Sequence, residues 1–223
     1  PNAFPFYHID TTLKPKSESQ ANALIKAQQI LHSKYNLEEI ELFSRIPYPF
    51  TREQMEDSVN GIKLNVGCYY THFEGFINVD IKNDVGADLI SDMRSLDQHF
   101  KPGSVSLILS SHSLEHIPIE DAKVFLEKCF KILRPGGHLV VEVPDCENMD
   151  ERIAKGEMTE YDKQCHIEGM PSEFGQKHEH CYVESELRNI LNNNGFYVIR
   201  RNPQVSVAAL EDRAIRLDCV KRS

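Results

Sequence analysis

The sequence predicts an α/β protein: a mainly parallel sheet with helices on its faces, an antiparallel last strand, and a helical segment at the amino-terminal end. Three observations carry this. From Ile62 onward, short apolar runs alternate with segments of helical period. The run Lys63-Leu64-Asn65-Val66-Gly67-Cys68-Tyr69-Tyr70, followed by Phe76-Ile77-Asn78-Val79-Asp80, reads as two successive buried strands, one closed by a glycine turn and the other by a carboxylate. Arg134-Pro135-Gly136-Gly137 stops a helical pattern and turns the chain into a new strand.

Taken in order, residues 1–60 form a lead-in distinct from the 61–223 domain. Leu24, Ala27, Leu31 and Tyr35 fall at helical spacing, so an amphipathic helix is expected over about 19–35. Ile46-Pro47-Tyr48-Pro49-Phe50 must be extended, because each proline removes a donor and disfavours helix at its predecessor. Thr51 and Gln54 make a capping-box pattern for a short helix. Tyr48, Phe50 and Arg52 bring aromatic and cationic groups just ahead of the first strand, which suggests a lid over a substrate site; plain stabilising packing is the alternative.

In the main domain, strands are expected near 62–67, 76–80, 87–91, 104–110 and 138–143. A helix over 118–133 carries Ala122, Phe125, Leu126, Cys129, Phe130 and Leu133 on one face, with Pro118 suited to its first turn. A second helix near 184–194 ends at Gly195, a natural left-handed cap, and strands at 196–199 and 214–221 close the sheet as an antiparallel pair. Residues 145–180 form an insertion before that helix. Only the eight residues 68–75 separate the first two strands. A helical crossover needs about ten or more, so a loop replaces the first helix.

At 223 residues the chain buries a sizeable core without staples. A net charge of -9 and a pI near 5.6 argue against a nucleic-acid backbone as partner. No apolar run approaches the roughly 18 residues that span a bilayer. Pro1-Asn2-Ala3-Phe4 shows neither a basic start nor an apolar leader core. A soluble, cytoplasmic protein without membrane partners is expected. The six cysteines (Cys68, Cys129, Cys146, Cys165, Cys181, Cys219) lack the dense spacing of a disulfide scaffold and are expected as reduced thiols.

A glycine turn beside a strand-ending carboxylate is the skeleton of a nucleoside site, since ligands of open α/β sheets sit beyond the carboxyl ends of the strands. The glycine lets the backbone approach the ligand, and the carboxylate accepts hydrogen bonds from both ribose hydroxyls. Taken alone, a single glycine is as often only a turn, and the position of a second glycine is held by Tyr69.

Strung together, Leu64-Asn65-Val66-Gly67-Cys68, Glu74-Gly75-Phe76-Ile77-Asn78-Val79-Asp80, Ala87-Asp88-Leu89-Ile90-Ser91-Asp92-Met93, Ser110-Ser111-His112-Ser113-Leu114-Glu115-His116-Ile117 and Leu133-Arg134-Pro135-Gly136-Gly137 resemble the ordered motifs of class I S-adenosylmethionine-dependent methyltransferases. The resemblance covers about 62–145 and implies a three-layer, Rossmann-like methyltransferase sheet with S-adenosyl-L-methionine as cofactor. It implies that Asn65, Gly67, Cys68 and Tyr69 pass beneath the methionine and ribose, and that Asp80 holds the ribose hydroxyls. Asp92 then accepts from the adenine amino group, the Met93 backbone lies beside the ring, and Ser110 and Ser111 face the methionine end. Two departures stand out: Tyr69 at the second glycine position and the loss of the first helix. They leave a methyltransferase-like scaffold without cofactor as the alternative. A nicotinamide oxidoreductase is disfavoured, because a G-x-G-x-x-G turn must open a helix for which there is no room.

On the acceptor side, His112 and His116 follow the fourth strand four residues apart, placed to share a helix face. His112 is the candidate cleft residue, whereas His116 is expected to pack or to bond backbone. Asp145, at the tip of the fifth strand, is suited to orient or deprotonate an acceptor, with a helix N-cap as the competing role. Cys165-His166 and His178-Glu179-His180-Cys181 form the richest group of metal-ligand residue types, but paired CxxC-like spacing is missing and no metal is expected. His180 and His178 are instead candidate acceptor contacts or bases. The implied reaction is methyl transfer to an oxygen or nitrogen of a small molecule, with a sugar or nucleotide-linked sugar suggested by the resemblance.

Overall fold

The computed structural model describes residues 61–169, 177–202 and 214–222, of which 200–202 by their backbone alone. The lead-in, and with it the lid, lies outside the described residues. Seven strands form one sheet: β1 Ile62–Val66, β2 Ile77–Asp80, β3 Leu89–Ile90, β4 Val105–Ser111, β5 Leu133–Pro144, β6 Phe196–Asn202 and β7 Ala214–Lys221, in the order β3-β2-β1-β4-β5-β7-β6. The pairings among β1 to β5 are all parallel. β7 runs antiparallel to both of its neighbours, β5 and β6.

Among the described residues, four α-helices accompany the sheet: α1 Ile119–Ile132, α2 Met149–Ala154, α3 Glu160–Glu168 and α4 Glu184–Asn193. The helical period of α1 buries Ala122, Phe125, Leu126, Cys129 and Ile132. With Leu187, Ile190 and Leu191 of α4 they cover one face of the sheet, made by Leu64, Val66, Val79, Ile108, Leu139, Val141, Ile215 and Leu217. The other face carries a smaller cluster of Phe76, Leu107, Leu109 and Val140, edged by Phe73. Gly195 takes φ +86° just after α4, as its position predicts, and a Cβ there would come within 2.5 Å of the Phe130 ring. The tight seat of Phe130 between α1 and the start of β6 therefore requires glycine.

Two expectations change. The Arg134-Pro135-Gly136-Gly137 turn is a bulge inside a longer strand rather than a break before one: Val105 pairs with Leu133 and Leu107 with His138, so residues 134–137 loop out opposite Ser106. Gly136, at φ +70°, provides the left-handed step, and the ladder resumes beyond it. Second, Cys146 and Cys181 are not reduced but joined in a disulfide, their Cα atoms 5.9 Å apart across 35 residues of sequence. The Cys146 amide also donates to the Tyr182 carbonyl at 2.9 Å, so two segments remote in sequence run side by side. Spacing along the chain does not reveal such a pair. The other four cysteines are free and buried. Among the described residues, no helix is long and apolar enough to cross a membrane.

The missing crossover helix is replaced by polar buttressing. Asn65, 3% exposed, donates to the Thr71 carbonyl (2.7 Å) and to Asn78 Oδ1 (3.0 Å). Asn78 Oδ1 also accepts from the Phe73 amide, while its Nδ2 donates to Asp88 Oδ2 at 2.8 Å. Each buried amide is thus paired, as burial demands, and a loop of turns closes the β1 to β2 connection.

Candidate active site at the carboxyl edge of the sheet

Parallel pairing brings the carboxyl ends of β1 to β5 to one edge, and the connections diverge there: β1 leads to β2 on one side, while β4 lies on the other. This switch point is where open α/β sheets form ligand crevices. Gly67 sits at it with φ +72°, its amide donating to the Val79 carbonyl at 2.9 Å. A Cβ on Gly67 would fall 2.4 Å from Ser113 Cβ. The Ser113 hydroxyl donates to the Val66 carbonyl (3.3 Å) and accepts from Ser110 (2.7 Å), which locks the β4 tip against the β1 tip.

Tyr69 occupies the second glycine position with a glycine-like backbone, φ +45°. Its amide donates to Asp80 Oδ2 at 2.8 Å, and the Lys82 amide donates to Oδ1 at 2.9 Å. Asp80 is thereby fixed at the end of β2, 8% exposed, with a further lone pair on each oxygen. The Tyr69 ring lies beneath the Lys82 ammonium, 4.9 Å from its centroid, and edge-on to Tyr70. Cys68 is buried, and burial together with the Asp80 charge pushes its thiol up to about 12, so it is an inert thiol.

Asp92 follows β3 and caps the 3₁₀ segment Met93–Gln98, accepting from the Arg94 amide at 2.8 Å. Both its oxygens also meet the Arg94 guanidinium, and these bonds hold the carboxyl below the ordinary carboxylate range. Arg94 pairs with Asp121 of α1 as well, at 2.5 Å. Met93 is partly buried against the main core. Ser110 is fully buried, and Ser111 donates to Glu142 Oε1 at 3.2 Å.

His112 and His116 do not share a helix face. His112 leaves β4 at φ +48°, and Leu114–His116 is a lone 3₁₀ turn before α1 begins. The His112 imidazole lies between two buried carboxylates, Nδ1 at 3.4 Å from Glu115 Oε1 and Nε2 at 3.4 Å from Glu142 Oε1. Burial disfavours its charge, but the two carboxylates outweigh it and raise the pKa to about 10. The two carboxylates thus favour the charged form of His112 and pair with it. His116 bonds backbone as expected, through Nδ1 and the Lys177 carbonyl.

Asp145, 7% exposed, does not cap a helix: Oδ1 accepts from the Glu147 amide at 3.0 Å, and Asn148 holds the N-cap position of α2. Its carbonyl accepts from the buried Arg152. His180 Nε2 pairs with Glu186 Oε2 at 2.8 Å, and its ring meets Tyr182 edge-on. His178 bonds the His166 carbonyl through Nδ1 (2.8 Å) and lies edge-on to His116, ring centroids 4.9 Å apart. The edge thus brings Gly67, Tyr69 and Asp80 together on one side, and His112, His116 and His178 around Glu115 on the other.

Four charged residues absent from the candidate set shape the site. Glu115 and Glu142 clamp His112, and Glu142 lies across from Arg216 in the β5 to β7 ladder. Arg216 in turn approaches Asp218 at 3.4 Å, both fully buried. The sequence carries a signal for one of them: Glu142 interrupts the apolar run Leu139-Val140-Val141-Glu142-Val143, where a charge needs a partner.

A methyltransferase domain model matches residues 60–201, and the chain belongs to that family. No curated protein matches it in sequence. Among solved structures, a SAM-dependent methyltransferase from Methanosarcina mazei is similar at TM-score 0.56 and 14% identity, over 78% of this chain and 98% of that one. One from Archaeoglobus fulgidus gives TM-score 0.52 and 14% identity over 76% and 90%. The 1,6-didemethyltoxoflavin N1-methyltransferase of Burkholderia thailandensis, crystallised with 1,6-didemethyltoxoflavin and S-adenosylhomocysteine, gives TM-score 0.53 and 14% identity over 99% and 100%. At these identities the likeness is one of fold.

Proposed function

We propose that this methyltransferase-family chain transfers the methyl group of S-adenosyl-L-methionine to an oxygen or nitrogen of a small-molecule acceptor. One observation carries the reading: at the switch point, the left-handed turn at Gly67 leads into a Tyr69 amide that presents Asp80 at the tip of β2. Tyr69 keeps the backbone of the glycine it replaces, which favours an intact cofactor edge over an inactive scaffold.

In this reading Asn65, Gly67, Cys68 and Tyr69 line the methionine and ribose path, and Asp80 holds the ribose hydroxyls. Asp92 receives the adenine amino group, helped by the second partner that Arg94 has in Asp121. The Met93 backbone flanks the ring, and Ser110 and Ser111 border the methionine end. The carbon–sulfur bond breaks as the acceptor's lone pair forms the new bond, so alignment and exclusion of water supply most of the acceleration. His112, Asp145, His178 and His180 stand on the acceptor side.

A sugar or nucleotide-linked sugar is the acceptor suggested by the motif resemblance, and the Burkholderia neighbour supports a small molecule. The net charge of -9 disfavours nucleic acid. Calorimetry with S-adenosylhomocysteine tests the cofactor: no heat of binding at about millimolar ligand rejects the enzyme in favour of a scaffold. Incubation with a methyl-labelled donor and separate pools of nucleotide sugars and heteroaromatics, read by mass spectrometry, then tests the acceptor.

A further inference from the structure

We infer that Glu115, His116 and His178 form a binding site for a divalent first-row transition cation on the acceptor side of the cleft. One ligand atom from each lies within 4.8 Å of the others. A cation about 2.1 Å from each ligand separates them by about 3 to 4 Å, so slight rotations of the side chains close the shell.

Three further features point the same way. Glu115 is 1% exposed, and among the described residues neither of its carboxylate oxygens accepts a hydrogen bond; His112 Nδ1 lies 3.4 Å from Oε1. An under-bonded buried carboxylate is costly, and a bound cation offsets that cost. Next, both histidines spend Nδ1 on a carbonyl, His116 on Lys177 and His178 on His166. A carbonyl only accepts, so each Nδ1 bears the proton and each Nε2 keeps its lone pair, the arrangement that orients imidazoles toward metals. Finally, the two segments are fastened together independently of any ion: the Glu179 and His180 amides donate to the Glu115 carbonyl at 2.8 and 3.2 Å. The Cys146–Cys181 disulfide anchors the same segment to the end of β5.

A set of two imidazoles and one carboxylate suits zinc, manganese or iron and leaves coordination positions open. Taken with the proposed methyl transfer, on which this role rests, an acceptor hydroxyl bound there loses its proton to solvent water more readily. The oxygen's lone pair then forms the C–O bond, and the C–S electron pair departs with S-adenosylhomocysteine.

The test is calorimetric titration of Mn²⁺, and separately Zn²⁺, into the full chain after treatment with chelator. One stoichiometric site is expected, weakened by at least about tenfold in His178→Ala and in Glu115→Gln. Circular dichroism of each variant checks folding; should Glu115→Gln unfold, His178→Ala and His116→Ala carry the comparison. No binding of either ion at millimolar concentration, or binding indifferent to the folded variants, overturns the site. Binding of S-adenosylhomocysteine, measured in parallel, decides the methyltransferase reading separately.

Discussion

The Tyr69 backbone amide donates to Asp80 Oδ2 at 2.8 Å, and this bond ties the end of β2 to the turn after β1. The other oxygen of Asp80 takes the Lys82 amide, so both face N–H donors. An asparagine satisfies only one of them and points its NH₂ at the other. Asp80→Asn is therefore expected to destabilise the fold by about 1 to 3 kcal/mol and to weaken S-adenosylhomocysteine binding. Urea unfolding and calorimetry check the two effects; unchanged values in both remove Asp80 from the ribose position.

Gly67 meets two requirements at once: a left-handed φ of +72° and a Cβ position 2.4 Å from Ser113 Cβ. The backbone alone costs a side chain about 1 to 2 kcal/mol, and the overlap adds about 1 to 3 more. Gly67→Ala should lower the unfolding free energy by about 2 to 5 kcal/mol. Adding Ser113→Gly removes the obstacle but not the φ strain, so the double variant should be less destabilised than the sum of its singles. Strict additivity in denaturant titrations contradicts the contact.

The parts of this molecule that are legible in its sequence are those set by local pattern. The buried stripe of α1, the strand-ending Gly67 and Asp80, the short β1 to β2 loop and the antiparallel β7 all follow from period, punctuation and chain length. The Glu115, His116 and His178 group is not legible, because its members come from two segments that meet only after β5 and the insertion are in place. The Cys146–Cys181 pair is hidden for the same reason. His112 can be read as a cleft residue, but its charge depends on Glu142, which reaches it across a strand pairing rather than along the chain.

The disulfide closes a loop across 35 residues of sequence that contains α2 and α3. Restricting the unfolded chain over that length stabilises the folded state by about 3 to 4 kcal/mol in the loop-entropy account. Reduction, or Cys146→Ser with Cys181→Ser, should lower the urea midpoint accordingly. It should also increase amide exchange in 177–183 more than in β1 or β4, since the Cys146 to Tyr182 backbone bond then holds the segment at that point without its covalent tie. Uniform exchange across the domain argues against a local anchor.

Asp88 supplies an acid-side dependence of stability. The Asn78 amide and side chain donate to its Oδ2 at 2.8 Å each, and these bonds hold its pKa below the ordinary 3.8. A carboxyl whose folded pKa is depressed contributes stability above its unfolded pKa and loses it as pH falls through the folded value. The contribution is therefore complete at neutral pH and fades below about pH 4. Asp88→Asn keeps an acceptor near Asn78 but cannot titrate. The difference in unfolding midpoint between wild type and Asp88→Asn should be constant from about pH 7 to 5 and narrow on further acidification. A gap that stays constant down to about pH 3 shows that the Asn78 bonds do not distinguish charged from neutral Asp88.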